Sequence, residues 1–252
     1  MEPDPLTLAE DAALAARLAA AAGRIGQEVR AAALLDGKAL GCTGDCTVNT
    51  FLVEALSRLR PDDGLLSEER RDTPERLGKS RVWIVDPIDG TREYGECRAD
   101  WAVHVGLAVD GVAVAGAVAL PDCDGGTVLT SHDVTPLSAH AGPPRLLISR
   151  SRPAPEALAI AEQLGGELMP MGSAGAKAMA VVRGQADIYL HSGGQYEWDN
   201  CAPVAVAAAH GLHCSRIDGS PLRYNNRDTY LPDVLICRPQ WAERVLRIVA
   251  TL

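Results

Sequence analysis

Val82-Trp83-Ile84-Val85-Asp86-Pro87-Ile88-Asp89-Gly90-Thr91-Arg92-Glu93-Tyr94 is the stretch on which the reading of this chain turns. Val82 to Val85 are apolar and mostly β-branched, which predicts a buried strand. Pro87 has no N–H to give to a ladder, so the strand is expected to stop at Asp86-Pro87. Ile88 to Thr91 then reads as a tight turn, in which Gly90 takes φ > 0 or lets the backbone approach a ligand. Two carboxylates three residues apart across such a turn can address one small volume. Carboxylate and carbonyl oxygens suit a hard cation such as Mg²⁺. The Gly-Thr step behind them offers N–H groups and a hydroxyl to a phosphate. The plainer alternative is a loop shaped by ordinary turn residues. Phosphatases with an aspartate nucleophile carry Asp-x-Asp-Gly-Thr after a strand. Here two residues, one of them Pro87, separate the acids, which favours two metal ligands over a nucleophile and its general acid.

The 252 residues suffice for one large domain or two small ones. A net charge of −9 speaks against a nucleic-acid partner. An acidic protein that handles phosphate esters needs cations, which agrees with a metal site. The N-terminus, Met1-Glu2-Pro3-Asp4, lacks the features of a secretory signal. Seven scattered Cys are therefore expected as reduced thiols in the cytoplasm. Cys42-x-x-x-Cys46 and His210-x-x-His213-Cys214 lack the spacing of a zinc module; buried small residues and a helix end account for them. No apolar run reaches the length of a membrane span.

Outward from the central stretch, Thr7-Leu8-Ala9-Glu10 has the form of a capping box opening a helix to about Leu35. Residues 36–47 read as a loop, and a second helix runs through Phe51, Leu52, Leu56 and Leu59 until Pro61. Gly64 to Ser67 reads as a strand entering the acidic pair Glu68-Glu69. Asp110-Gly111 predicts a hairpin between Trp101–Val109 and Val112–Leu120, with a short strand at 127–130. The His-, Pro- and Gly-rich residues 131–144 mark a boundary, which divides the chain into 1–142 and 143–252. Beyond it strands and helices alternate: strand 146–149, helix 155–164, strand 168–171, helix 172–182, strand 186–190, a helix near Asp199 closed by Gly211, strand 234–237 and helix 241–252.

Leu66-Ser67-Glu68-Glu69, then Trp83 to Thr91, then Glu197-Trp198-Asp199 with Ala202 and Ala205, in this order, resemble the inositol monophosphatase superfamily of metal-dependent, lithium-sensitive phosphomonoesterases. Gly184-x-Ala186-Asp187-Ile188-Tyr189 extends the match. Ser149-Arg150-Ser151, Gly172-Ser173 with Lys177, and Glu197-Trp198-Asp199 make the chain most similar to the CysQ-type 3'(2'),5'-bisphosphate nucleotidases. The resemblance implies an α/β fold, a layered αβαβα sandwich with an N-terminal α+β half carrying the metal site and a C-terminal α/β half contributing Asp199 and substrate contacts.

The resemblance also implies roles. Glu68, Asp86 and the Ile88 carbonyl would hold one Mg²⁺, and Asp86, Asp89 and Asp199 a second. Gly90 and Thr91 would bind the scissile phosphate, and Asp45 with Thr91 would activate water. Ser149, Arg150, Ser173, Lys177 and Glu197 would contact the substrate, a small nucleotide bisphosphate. The expected reaction removes the 3'-phosphate of 3'-phosphoadenosine 5'-phosphate, with the 5'-phosphosulfate relative as a further substrate, in sulfate assimilation. The alternatives are an inositol monophosphatase or fructose-1,6-bisphosphatase activity, or a catalytically silent phosphate-binding regulator. A homodimer is expected. The chain departs from the family at Cys46-Thr47-Val48-Asn49, which leaves a third ion open, at His191 where an Arg is common, and in a shortened hairpin near residues 121–136. His191 is read as a surface or rim residue.

Overall fold

The computed structural model describes residues 5–137 and 140–252. The first part runs α1 (Pro5–Ala31), α2 (Gly37–Leu59), β1 (Gly64–Ser67), a 3-10 turn, β2 (Arg81–Asp89), α3 (Thr91–Gly95), β3 (Ala102–Val109), β4 (Val112–Leu120) and β5 (Thr127–Thr130). The second runs β6 (Arg145–Ser149), α4 (Pro155–Leu164), β7 (Glu167–Met171), α5 (Ala174–Val182), β8 (Ile188–Tyr196), α6 (Glu197–Ala209), β9 (His213–Ser215), β10 (Tyr230–Cys237) and α7 (Pro239–Val249).

Strands β1 to β5 form one sheet in sequence order, and the second sheet has the order β7-β6-β8-β10-β9. Alternation along β2 sets the layers, because successive side chains leave opposite faces of a strand. Trp83 and Val85, with Val103, Val105 and Leu107, pack beneath α1 and α2. Val82 and Ile84 face the other way, into a core shared with α5, α6 and Leu147, Tyr189 and Ile236 of the second sheet. The far face of that sheet, including Leu146, Ile148 and Leu235, is covered by Ile160 of α4 and Val245 of α7. The result is the expected αβαβα sandwich, with α5 and α6 as the middle layer. The β3–β4 hairpin turns at Asp110 and Gly111, both at positive φ, as a two-residue turn of that composition should.

Three expectations give way. Thr7 lies inside α1, so Thr7 to Glu10 is not its capping box. Residues 37–47 are not a loop: α2 begins at Gly37. Glycines there cost helix stability, but they let α3 come close. A Cβ on Gly41 would stand 2.9 Å from Thr91 Cγ2, and one on Gly44 2.6 Å from the Tyr94 ring. Packing, not propensity, decides this helix. Nor does β2 stop at Pro87. It continues to Asp89 through an irregularity in its pairing with β3, so Pro87 sits where no ladder N–H is required. Among the described residues no helix is long and apolar enough to cross a membrane.

Candidate active site

The irregularity in β2 builds the site. Asp86 pairs with His104 and Asp89 with Ala102, so β2 holds one more residue than β3 across this interval. In a regular strand, residues three apart face opposite sides. The extra residue turns Asp86 and Asp89 to the same side, toward the α5–α6 layer. Asp199, in the first turn of α6, joins them: one carboxylate oxygen from each of Asp86, Asp89 and Asp199 lies within 4.8 Å of the others. Asp199 is steered by its own backbone, its Oδ2 accepting from Tyr196 N at 2.7 Å.

The surroundings treat these acids differently. Burial pushes Asp89 up, but the His104 ring, the Ser173 hydroxyl and the Lys177 charge outweigh it and hold its carboxyl down at about 2. Its oxygens accept from the Ser173 hydroxyl, from Ala174 N at 3.0 Å and from Gly175 N at 2.6 Å. Burial and the charges of Glu68 and Asp89 push Asp86 well above the usual carboxylate range. Burial and then Asp89 push Asp199 up to about 7. Glu68, on the turn after β1, is pushed up to about 8, first by desolvation beside the other acids and then by the charges of Asp45 and Asp199.

Asp45 projects from α2 and is 3% exposed. Its Oδ2 accepts from the Thr91 hydroxyl at 2.9 Å. Burial raises its carboxyl to about 7, with Glu69 and Asp89 adding to the rise. The same hydroxyl is 3.0 Å from the Ile88 carbonyl. Gly90, at φ 87°, makes the left-handed step from β2 into α3.

A divalent cation fits these residues. Asp45 Oδ1 and Asp86 Oδ1 are buried and have no hydrogen-bond partner among the described residues. Such orphaned carboxylate oxygens are costly unless a cation compensates them. The donors are all oxygens, which suits Mg²⁺ better than a soft metal.

A cavity of about 150 Å³ opens beside Asp89 and Asp199. Ser149, Arg150, Ser173 and Lys177 line it, as do Arg152 and Tyr189, which sequence reasoning did not single out. Within it, Arg150 is paired with Glu93 and Glu96. Lys177 is buried, with Nζ on the carbonyls of Gly172 at 3.1 Å and Ser173 at 2.6 Å. His191 is not a surface residue: it is 7% exposed in the cavity wall, and burial, with Lys177 nearby, lowers it to about 4.

Glu197 is not brought to the cavity. Its carboxylate accepts from the backbone N–H groups of Asn225 and Asn226, each at 2.7 Å, and so anchors the loop before β10. Cys42 and Cys46 are exposed rather than buried, and His210 ends α6. His104 was missed. Its Nε2 stands 3.3 Å from Asp89 and its Nδ1 3.0 Å from the Trp198 carbonyl. The available signal was a polar ring in an otherwise apolar strand.

A sequence model of the inositol monophosphatase family matches residues 12–252. A 3'-phosphoadenosine 5'-phosphate phosphatase from Mycobacterium leprae is 47% identical, over 95% of this chain and 93% of its own length. The 3'(2'),5'-bisphosphate nucleotidase CysQ of Escherichia coli K12 is 31% identical, over 74% and 80%. Among solved structures, an inositol monophosphatase from Anabaena superposes with a TM-score of 0.78 at 21% identity, covering 98% of this chain and 97% of that one. CysQ from Bacteroides thetaiotaomicron does so with 0.78 at 24% identity, covering 92% and 98%. At these identities the two structures speak for the fold alone.

Proposed function

This chain belongs to the inositol monophosphatase family and is a phosphatase, and on that premise we propose that it removes the 3'-phosphate of 3'-phosphoadenosine 5'-phosphate. The observation that carries the reaction class is the convergence of Asp86, Asp89 and Asp199 beside the Asp45–Thr91 pair. The substrate rests on the names of the relatives that are 47% and 31% identical.

Mg²⁺ would be held by Asp86, Asp89 and Asp199, with Glu68 and the Ile88 carbonyl at the edge of the group, and would supply Lewis-acid charge neutralisation and water activation when bound. The chain's own part follows from its hydrogen bonds. Thr91 donates its proton to Asp45, so the lone pairs of the hydroxyl oxygen are left to accept from an attacking water. The water's proton passes to Thr91 as the Thr91 proton passes to Asp45. A carboxyl near 7 suits a general base at neutral pH. Gly90 and Thr91 would present backbone to the scissile phosphate. Lys177, Ser149 and Arg152, which line the cavity, would be the groups to receive a second phosphate. We further propose inhibition by Li⁺, a cytoplasmic role in sulfate assimilation and a homodimer, all on the family resemblance.

The test is phosphate release, with Mg²⁺ and with or without Li⁺, from 3'-phosphoadenosine 5'-phosphate, fructose 1,6-bisphosphate and inositol 1-phosphate. Lithium-inhibited release with the highest kcat/KM on the nucleotide is expected. Preference for either other substrate would keep the site and move the specificity, and no release from any of them would end the proposal.

A further inference from the structure

The face of β3 that α5 and α6 cover carries Ala102, His104, Gly106 and Ala108, and His104 is the one polar side chain in that row. A Cβ on Gly106 would stand 2.8 Å from Ala202 N, so α6 lies directly on the strand. His104 is 0% exposed. Room for its ring comes from α5, where a Cβ on Gly175 would fall 2.0 Å from His104 Nε2. A buried imidazole and a glycine inside a helix each cost stability. Small residues serve the rest of this row, so the ring calls for a reason beyond packing.

Its two nitrogens join the two halves of the three-acid group. Asp89 comes from β2 in the first sheet, and Asp199 from α6 in the second part of the chain. His104 Nδ1 donates at 3.0 Å to the carbonyl of Trp198, one residue before Asp199. Nε2 lies 3.3 Å from Asp89 Oδ2. The Ser173 hydroxyl and Gly175 N donate to that same oxygen, whereas Oδ1 accepts from Ala174 N. Oδ2 is thereby crowded with donors, which leaves Oδ1 as the freer oxygen for a cation. A flat ring with an acceptor at each nitrogen resists both rotation of the Asp89 carboxylate and sliding of the α6 N-terminus along β3. The substrate cavity is lined without it.

We propose that His104 is a positioning residue, a strut between β2 and α6 that fixes the spacing of Asp89 and Asp199 and so sets the affinity of the acids for a divalent ion. This rests on the metal-dependent phosphatase reading and adds to it the group that preorganises the ligands. Partners that orient ligand side chains typically govern about 10- to 100-fold of metal affinity.

The experiment titrates Mn²⁺, a hard ion that takes the same oxygen donors, into the full chain and into His104→Phe and His104→Gln. The free ion is read by electron paramagnetic resonance. Phenylalanine keeps a ring and loses both nitrogens, and glutamine keeps a donor for one partner but cannot span two. The Mn²⁺ dissociation constant should rise by about 10- to 100-fold in His104→Phe and by a smaller factor in His104→Gln. KM for 3'-phosphoadenosine 5'-phosphate at saturating metal should stay within twofold of wild type in both. A merely structural role would lower the melting temperature and leave the Mn²⁺ affinity of the folded protein unchanged. Affinity within twofold of wild type in folded His104→Phe therefore overturns the proposal; if that variant does not fold, the same result in His104→Gln overturns it. Wild type that binds Mn²⁺ but turns over no nucleotide defeats the nucleotidase reading and leaves the strut. Normal wild-type binding and turnover with unaltered variants defeats the strut alone, and a wild type that binds no Mn²⁺ overturns both.

Discussion

The Thr91 hydroxyl stands 2.9 Å from Asp45 Oδ2, which ties the opening of α3 to the middle of α2. The contact depends on Gly41, because any side chain there would strike Thr91. Asp45→Asn is expected to lower kcat by about 10²- to 10⁴-fold. Its melting temperature should hold or rise, since burial and the charges of Glu69 and Asp89 already disfavour that carboxylate. Phosphate-release kinetics and a thermal melt check both halves. A variant retaining more than a tenth of wild-type kcat would remove Asp45 from the reaction.

Asp89→Asn should be hurt twice. It loses a charge from the three-acid group, and kcat should drop by about 10³-fold or more. The substituted NH₂ would also face donors, because the Asp89 oxygens accept from Ser173, Ala174 N and Gly175 N. Leaving one of these buried donors unpaired costs about 1–3 kcal/mol. Denaturant unfolding should therefore show a measurable loss of stability, and an unchanged midpoint would contradict the hydrogen-bond pattern at α5.

Where periodicity and turn chemistry act locally, the sequence was readable. Pro155 and Gly165 frame α4 at its observed bounds, and Asp110-Gly111 marks its hairpin. The reading failed where a distant contact overrides local preference. Gly41 and Gly44 look like a loop until Thr91 and Tyr94 are seen against them. Pro87 looks like a strand end until the mismatched register with β3 shows it sitting in an irregularity. Asp86 and Asp89 were expected to address one small volume across a turn, and they do, but through the extra residue in β2 rather than a turn after Pro87. Glu197 illustrates the converse. It lies two residues before Asp199 yet faces Asn225 and Asn226, because helix positions two apart point about 200° apart.

Glu197→Gln should accordingly act on stability and leave substrate affinity alone. The carboxylate receives backbone N–H groups from both Asn225 and Asn226, and an amide has one acceptor oxygen to offer them. A loss of about 1–3 kcal/mol in unfolding free energy is expected, with KM for the nucleotide within twofold of wild type. A raised KM at unchanged stability would return Glu197 to the substrate.

Lys177→Met tests a different division of labour. The ammonium holds the carbonyls of Gly172 and Ser173 and lies 5.3 Å from the centre of the Tyr189 ring, so it both fastens the start of α5 and charges the cavity wall. Methionine keeps the packing volume and removes the donors. The melting temperature should fall and KM for a doubly phosphorylated nucleotide should rise together. A shift in KM alone would mean that the carbonyl contacts add nothing to stability.

The acids also set how stability responds to pH when no divalent ion is present. Asp45 and Asp199 are raised to about 7 and Glu68 to about 8, and Asp86 is raised as well. A carboxyl that holds its proton more tightly folded than unfolded stabilises the protein fully below its unfolded value, near 4. That contribution is lost as pH rises through the folded value. His191, lowered to about 4, works in the opposite direction between about 4 and 6.5, because it must be neutral to stay buried. Asp89, held near 2, changes charge only below this window. These carboxyls, joined by Glu197, which burial also raises, outweigh the lowered imidazoles of His191 and His213, so protein stripped with EDTA should melt at a lower temperature at pH 8 than at pH 5.5. Mg²⁺ binds the deprotonated acids, so the stabilisation it adds should be larger at pH 8 than at pH 5.5. Melting curves at both pH values, with and without Mg²⁺, decide the matter. A metal-free protein that melts higher at pH 8, or a Mg²⁺ effect that shrinks as pH rises, would mean that these carboxylates do not repel one another as their positions require.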